Sequence, residues 1–243
     1  MKKKISIIAL LLAFITIGLT SCNTGGDDRL WMADTGTLIY LGMGTDLCVK
    51  LDAEGDILLP NALPNISGHT WESGDRVFIQ FYIDQEMEDE SNYQYKGEII
   101  LLELIQTFNP FKIISEIADT LDVDPFYEID GHSEKTMMWI SGNYLTVLPI
   151  LSYLDYRKHS VTLSYHNPEE ISSGTDTIHL ELNHNAYGDQ GQINYGPYYC
   201  FRLNEFKSPI GKDTAVLSIK MPVIQYPGTD KKYDKRNIKY YRK

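Results

Sequence analysis

The run His184-Asn185-Ala186-Tyr187-Gly188-Asp189 gathers imidazole, amide, phenol and carboxylate groups at one point of the chain. Histidine and aspartate at a strand end can hold or exchange a proton, and an amide can bond a ligand, which is the chemistry of an acid–base or binding site. The same letters have a structural reading. Asn185 and Gly188-Asp189 are turn residues leaving a strand, and His184 continues that strand's inward face as a histidine bonded to backbone. Residues 187–199 then hold Tyr187, Gln190, Gln192, Asn194, Tyr195, Tyr198 and Tyr199. Tyrosine faces stack on apolar sugar faces and amides answer hydroxyls, so a loop of this kind suits a glycan or a protein. The alternative is a long hairpin connection whose tyrosines pack on their own strands. The candidate ligand-binding residues are therefore His184, Asn185, Tyr187, Asp189, Tyr195, Tyr198 and Tyr199.

A third cluster, Asp119, Asp122, Asp124, Glu128 and Asp130, invites a calcium reading. Counted from Asp122 the EF-hand pattern fails, because Phe126 takes the fifth position and Ser133 the twelfth, where glutamate belongs. A solvated linker is the expectation. The chain has no Gly-X-Ser-X-Gly elbow, no His-Glu-X-X-His and no phosphate-cradling glycine loop. No catalytic residue, metal or cofactor is expected, and the chain is read as a non-enzyme.

The N-terminus says where such a site would be presented. Lys2, Lys3 and Lys4 precede the apolar run Ile5–Leu19, and Leu19-Thr20-Ser21-Cys22 closes it. The run is short for a membrane span, which needs roughly 20 residues, and its basic flank fits an export leader. Small residues just before a cysteine resemble the lipobox of bacterial lipoproteins, cleaved before Cys22 and acylated on its thiol. Residues 1–21 are thus expected to be a lipoprotein signal peptide and 22–33 a polar tether. The implied location is the cell envelope, with lipid attachment to the outer membrane on its periplasmic face or at the cell surface.

Losing the three leader lysines takes the net charge from −11 to −14. A body this acidic repels phosphate backbones, so no nucleic-acid partner is expected. The tail Asp230–Lys243 is the exception, with seven basic and two acidic residues. It reads as a basic patch for anionic headgroups or a partner, or as a final edge strand, Asn237–Tyr241, guarded by lysines. Once Cys22 is lipidated, Cys48 and Cys200 remain. Each lies in an apolar strand of what reads as a different domain, so two buried thiols are expected rather than a disulfide.

The elements that must carry these residues are strands. Thr37–Leu41, Leu47–Leu51, Ile57–Leu59, Arg76–Ile83 and the long run Tyr95–Phe108 are apolar, β-branched or aromatic, and turn residues such as Asp52–Asp56 divide them. Short strands in this density suit a small closed barrel, placed at 34–122. After an acidic, proline-containing connection, a second series follows: Met137–Ile140, Tyr144–Tyr153, His159–Tyr165, Asp176–Asn183, Tyr198–Phe206 and Ala215–Ile224. Its spacing suits a β-sandwich over 133–243. Ile178, Leu180, Leu182 and His184 share one face of their strand and His179, Glu181 and Asn183 the other. The fold class is all-β.

Three segments carry a family resemblance: Ser73-Gly74-Asp75-Arg76-Val77, Trp139-Ile140-Ser141-Gly142-Asn143-Tyr144-Leu145, and Leu180 through Asp189. In this order they resemble the NigD-like lipoproteins of Bacteroides-type bacteria. The resemblance implies an OB-type barrel followed by a β-sandwich behind a lipid anchor. It also implies a link to a toxin, since the family name comes from association with a bacteriocin locus. The function expected is a lipid-anchored envelope protein that binds a protein or peptide. The alternatives are an accessory glycan binder using Tyr187, Tyr195, Tyr198 and Tyr199, and a structural envelope component that binds nothing.

Overall fold

Apolar runs broken by turn residues become strands in the computed structural model, which describes residues 29–41, 46–53, 55–86, 94–113, 123–129, 135–167, 177–206 and 214–241. The leader and Cys22 lie outside the described residues, as do Asp119, Asp122 and Asp130. Residues Trp31–Lys243 form one compact unit.

Strands β1 (Leu30–Tyr40), β2 (Leu47–Leu51), β3 (Ile57–Pro60), β4 (Arg76–Glu86) and β5 (Tyr95–Leu104) close into a barrel in the order β1-β2-β3-β5-β4. Period-two alternation fills it: Val77, Ile79 and Phe81 of β4 are fully buried with Leu38, Val49 and Leu58. Gly97 permits the tight approach of β5 to β4. A Cβ there would stand 2.3 Å from the Tyr82 carbonyl oxygen, beside a register shift between Ile83 and Gln85.

The remaining strands build the sandwich. They are β6 (Thr107–Phe108), β7 (Phe111–Lys112), β8 (Phe126–Ile129), β9 (Met137–Ser141), β10 (Tyr144–Leu148), β11 (Ile150–Tyr153), β12 (Ser160–Tyr165), β13 (Thr177–Asn185), β14 (Gln192–Tyr195), β15 (Tyr199–Arg202), β16 (Thr214–Tyr226) and β17 (Lys231–Tyr241). One sheet runs β6-β15-β10-β9 and the other β17-β16-β13-β12-β7, with β8 also on β16 and β11 paired to β14. Leu145, Val147 and Phe201 of the first sheet pack with Leu163, Leu180, Leu182, Leu217 and Ile219 of the second. The all-β expectation holds among the described residues, whose helical content is two 3-10 turns, Tyr156–Lys158 and Asn204–Phe206.

Several local expectations change. The span expected to be polar tether ends in strand, because β1 begins at Leu30. Asp34 and Thr35 hold this part of β1 on the 52–53 turn: Ala53 N–H donates to Asp34 Oδ2 (3.1 Å) and Thr35 Oγ1 to Asp52 Oδ2 (2.7 Å). The run Tyr144–Tyr153 divides into β10 and β11 at Pro149, which has no N–H for the ladder. Strands β6 and β7, inside the range assigned to the barrel, pair in parallel with β15 and β12 of the sandwich. The final strand starts at Lys231 rather than Asn237.

A buried ion pair of the barrel forms the centre of a joint with the sandwich. Arg76 of β4 is fully buried. Its guanidinium donates to Thr37 Oγ1 (2.8 Å), to both oxygens of Asp52 (Nη1 to Oδ1, 2.7 Å) and to Thr146 Oγ1 on β10 (2.9 Å). Trp139 Nε1 donates to Asp52 Oδ2 (3.0 Å), the Tyr144 hydroxyl to the Gly74 carbonyl (3.0 Å), and the Tyr144 ring lies 5.2 Å from Arg76 Cζ. Burial alone would raise the Asp52 carboxyl, but Arg76 holds it below the usual carboxylate range. Two segments that carried the family resemblance, around Arg76 and around Trp139–Tyr144, thus meet in space as a structural joint.

Candidate functional site

Next to that joint, β4 and β5 of the barrel and the β11–β15 region of the sandwich enclose an open cleft of about 790 Å³. Its aromatic wall is built from Phe78, Tyr153, Tyr156, Tyr195 and Tyr198, with Glu103, Gln106 and Arg157 at polar positions. Phe78 of the barrel and Tyr198 of the sandwich stack with ring centres 5.4 Å apart and planes inclined by 23°. Tyr153 and Tyr156 meet edge to face at 6.1 Å. Arg157 is turned back on Asp155, giving Nε to Oδ1 at 2.8 Å and Nη2 to Oδ2 at 3.0 Å.

The tyrosine-rich segment was expected as a loop, but β14 runs through it. It pairs with β11 in the register Ile150↔Tyr195 to Tyr153↔Gln192. Gln192-Ile193-Asn194-Tyr195 alternates polar with apolar for only four residues between Gly191 and Gly196, and pairing with β11 is what fixes it as a strand. The pairing fixes the wall: the Tyr153 hydroxyl donates to the Tyr195 carbonyl (2.7 Å), and Gly196 N–H donates to the Pro149 carbonyl (2.8 Å). At Gly191 a Cβ would stand 2.4 Å from the Tyr153 carbonyl oxygen.

A chain of buried polar groups runs inward from the cleft, whose lining includes His159. Asp189 Oδ2 accepts from Leu154 N–H (3.0 Å) and Asp155 N–H (2.8 Å), and lies 3.2 Å from His159 Nε2. His159 Nδ1 is 2.8 Å from His184 Nε2, and His184 Nδ1 is 3.3 Å from the Pro125 carbonyl oxygen. Backbone donors, Asp155 first, hold the Asp189 carboxyl below the usual range, so it is an acceptor. The Pro125 carbonyl at the other end is also an acceptor. Desolvation, then repulsion from His159, pushes His184 down to about 4.

The predicted site residues fall into three groups. His184 and Asp189 come together through His159, a residue the sequence did not single out because it lies 25 residues upstream of its partner. Tyr195 and Tyr198 line the cleft at its surface, while Tyr199 is 7 % exposed and gives only an edge to it. Asn185, the last residue of β13, and Tyr187, in the turn that follows, do not line it. Asn185 Oδ1 accepts from Tyr187 N–H (2.7 Å), and Tyr187, at φ 48°, presents its ring 70 % exposed. Of the acidic cluster, Asp124 accepts from Ala186 N–H (2.7 Å) and Glu128 pairs with Arg236 (2.8 Å). Cys48 and Cys200 are buried free thiols.

Comparison with known proteins agrees with this architecture. Residues 130–235 match the NigD-like C-terminal beta sandwich domain. Solved structures of similar fold include a NigD-like immunity protein from Bacteroides caccae ATCC 43185, at 16% identity over 88% of this chain and 97% of that one, with a TM-score of 0.58. A candidate toxin-related protein from Parabacteroides distasonis ATCC 8503 aligns at 21% identity over 87% of this chain and 94% of that one, with a TM-score of 0.60. A candidate lipoprotein from Bacteroides fragilis NCTC 9343 aligns at 14% identity over 87% and 98%, with a TM-score of 0.58. No curated protein matches the chain. At such identities the likeness is one of fold, and the resemblance read from the sequence is borne out over the sandwich.

Proposed function

We take as premise that residues 130–235 are a NigD-like C-terminal β-sandwich domain, and we propose that the protein is a lipid-anchored binding protein of the cell envelope. Acylation at Cys22 holds it on the outer membrane, and the cleft between barrel and sandwich receives a protein or peptide segment. We read the barrel as OB-type from its five strands and their order. It acts as a wall of the cleft and not as a nucleic-acid platform, since the chain is acidic.

The cleft carries the reading. Phe78, Tyr156, Tyr195 and Tyr198 offer apolar surface with few rotamers to freeze, which is what a protein-binding patch uses. No acid–base role is assigned to the two imidazoles, because each ring nitrogen of His159 and His184 already has a partner. The Bacteroides caccae relative is called an immunity protein; carried to this chain, that makes the partner a protein toxin. The glycan reading keeps one supporting observation, the near-parallel Phe78–Tyr198 pair beside Gln106 and Glu103.

Two measurements test the proposal. Metabolic labelling with a fatty acid should mark the wild-type chain and not Cys22→Ala. A panel of extended peptides and neutral oligosaccharides, titrated against the chain by calorimetry, should yield peptide binding that Tyr198→Ala abolishes. Oligosaccharide binding with the same dependence favours the glycan reading. Binding of either class that ignores Tyr198→Ala and Tyr195→Ala refutes the cleft.

A further inference from the structure

The outward face of β17 and β16 is chemically unlike the rest of the chain. Alternation along β17 turns Asp234, Arg236, Ile238 and Tyr240 inward, where Arg236 binds Glu128, Asp234 and the Thr136 carbonyl. Lys231, Tyr233, Lys235, Asn237, Lys239 and Tyr241 are left outward and exposed. The strand's one acid in this range is thus turned away and neutralised, while its lysines stand about 13 Å apart in a row. Tyr233 and Tyr241 alternate with them at 62% and 61% exposure.

Register adds a fourth lysine. Lys220 of β16 lies directly opposite Lys235, a like-charge pair that costs stability. Lys220 sits 4.5 Å over the Tyr233 ring and 3.4 Å from Glu181 of β13, which also faces His166 at 3.2 Å. The face therefore carries four lysines against one carboxylate, on a chain whose net charge is −11. It mixes ammonium groups with exposed phenols as interfacial surfaces do.

We propose that this β16–β17 face docks on the anionic phospholipid headgroups of the bilayer that holds the anchor. The proposal rests on the anchor reading of Cys22, since the tether from Cys22 to Leu30 spans at most about 28 Å and keeps the body within reach of the membrane. The acidic remainder is repelled by the same surface, so the field turns the lysine face toward it. Each lysine brought to the surface strengthens docking about fivefold.

The test uses the acylated chain in phosphatidylcholine vesicles with and without phosphatidylglycerol, and reads acetylation of each lysine by an amine-reactive reagent. Lys235 and Lys239 should be protected several-fold on the anionic vesicles, relative to exposed Lys50 and Lys112, and salt should release them. Charge reversal by Lys235→Glu with Lys239→Glu, both surface changes, should abolish protection of Lys231. A chain that floats with both vesicles but reacts equally at Lys235 and Lys239 on each overturns the face and leaves the anchor standing. A chain that floats with neither overturns both. Protection by soluble polygalacturonate but not by vesicles assigns the face to an anionic glycan and overturns the lipid proposal.

Discussion

His159 Nδ1 lies 2.8 Å from His184 Nε2, with the two rings stacked at 5.0 Å and 16°. The contact joins the turn before β12 to the end of β13, and through Asp189 it ties the 154–155 backbone to the back of the cleft. It has a consequence for acid stability. His184 falls from an ordinary 6.5 to about 4 in the fold, so between these values the unfolded chain binds more protons than the native one. Stability from this group is complete above 6.5 and is lost as pH falls toward 4, by on the order of 3 kcal/mol. Urea unfolding between pH 4 and 6.5 should show stability rising with pH, and His184→Gln should flatten that rise. A wild-type curve no steeper than the variant's would contradict the assignment.

Asp34 acts with the opposite sign. Burial pushes its carboxyl up to about 6, so the native state holds its proton more tightly than the unfolded chain does. Its contribution is fully present below 3.8 and declines as pH rises through 6. Asp34→Asn should remove that opposition and steepen the net rise of stability with pH over this window. An unchanged slope would refute the shift.

The Arg76–Asp52 pair predicts an asymmetric cost. Asp52→Ala strands a buried guanidinium and should lose about 3–5 kcal/mol. Joint replacement of Arg76 by Met and Asp52 by Ala should lose less than Asp52→Ala alone, because no unpaired charge remains. Chemical denaturation of Asp52→Ala, Arg76→Met and the double variant settles the order, and additive losses would show that the pair is not coupled.

The Phe78–Tyr198 stack should couple barrel to sandwich. A double-mutant cycle with Phe78→Ala and Tyr198→Ala is expected to give about 0.5–1.5 kcal/mol of interaction energy. A value near zero would mean that the two walls are fixed independently of this contact.

Gly191→Ala tests how the tyrosine wall is set. The new Cβ would approach the Tyr153 carbonyl oxygen to 2.4 Å and Leu154 Cδ2 to 2.8 Å. Moving backbone to admit it should cost about 1–3 kcal/mol and shift the Tyr153 and Tyr195 ring resonances. Unchanged resonances would place the constraint elsewhere.

The inward direction of His184 was legible in the alternation Ile178-Leu180-Leu182-His184, because a strand's period of two assigns each side chain a face. The turn role of Asn185, Gly188 and Asp189 was legible for the same local reason. Strand β14 was not read, since its alternation lasts only four residues and it is the ladder offered by β11 that makes it a strand. His159 was not, since nothing local marks a histidine whose partners come from 25 and 30 residues downstream. The motif around Arg76 marked a position without saying what for. Its carboxylate comes from the turn after β2 and its other hydroxyl from β10.

The sequence by itself determined the all-β class, the division into a barrel-like and a sandwich-like half, and the expectation of a leader cleaved before Cys22. Those follow from period, turn residues and composition, which act over a few neighbouring residues. The tertiary structure decided the cleft, the buried imidazole pair and the lysine face, because each depends on register between strands far apart in the chain. Register is set by which faces bury together, and no short stretch of sequence contains that information.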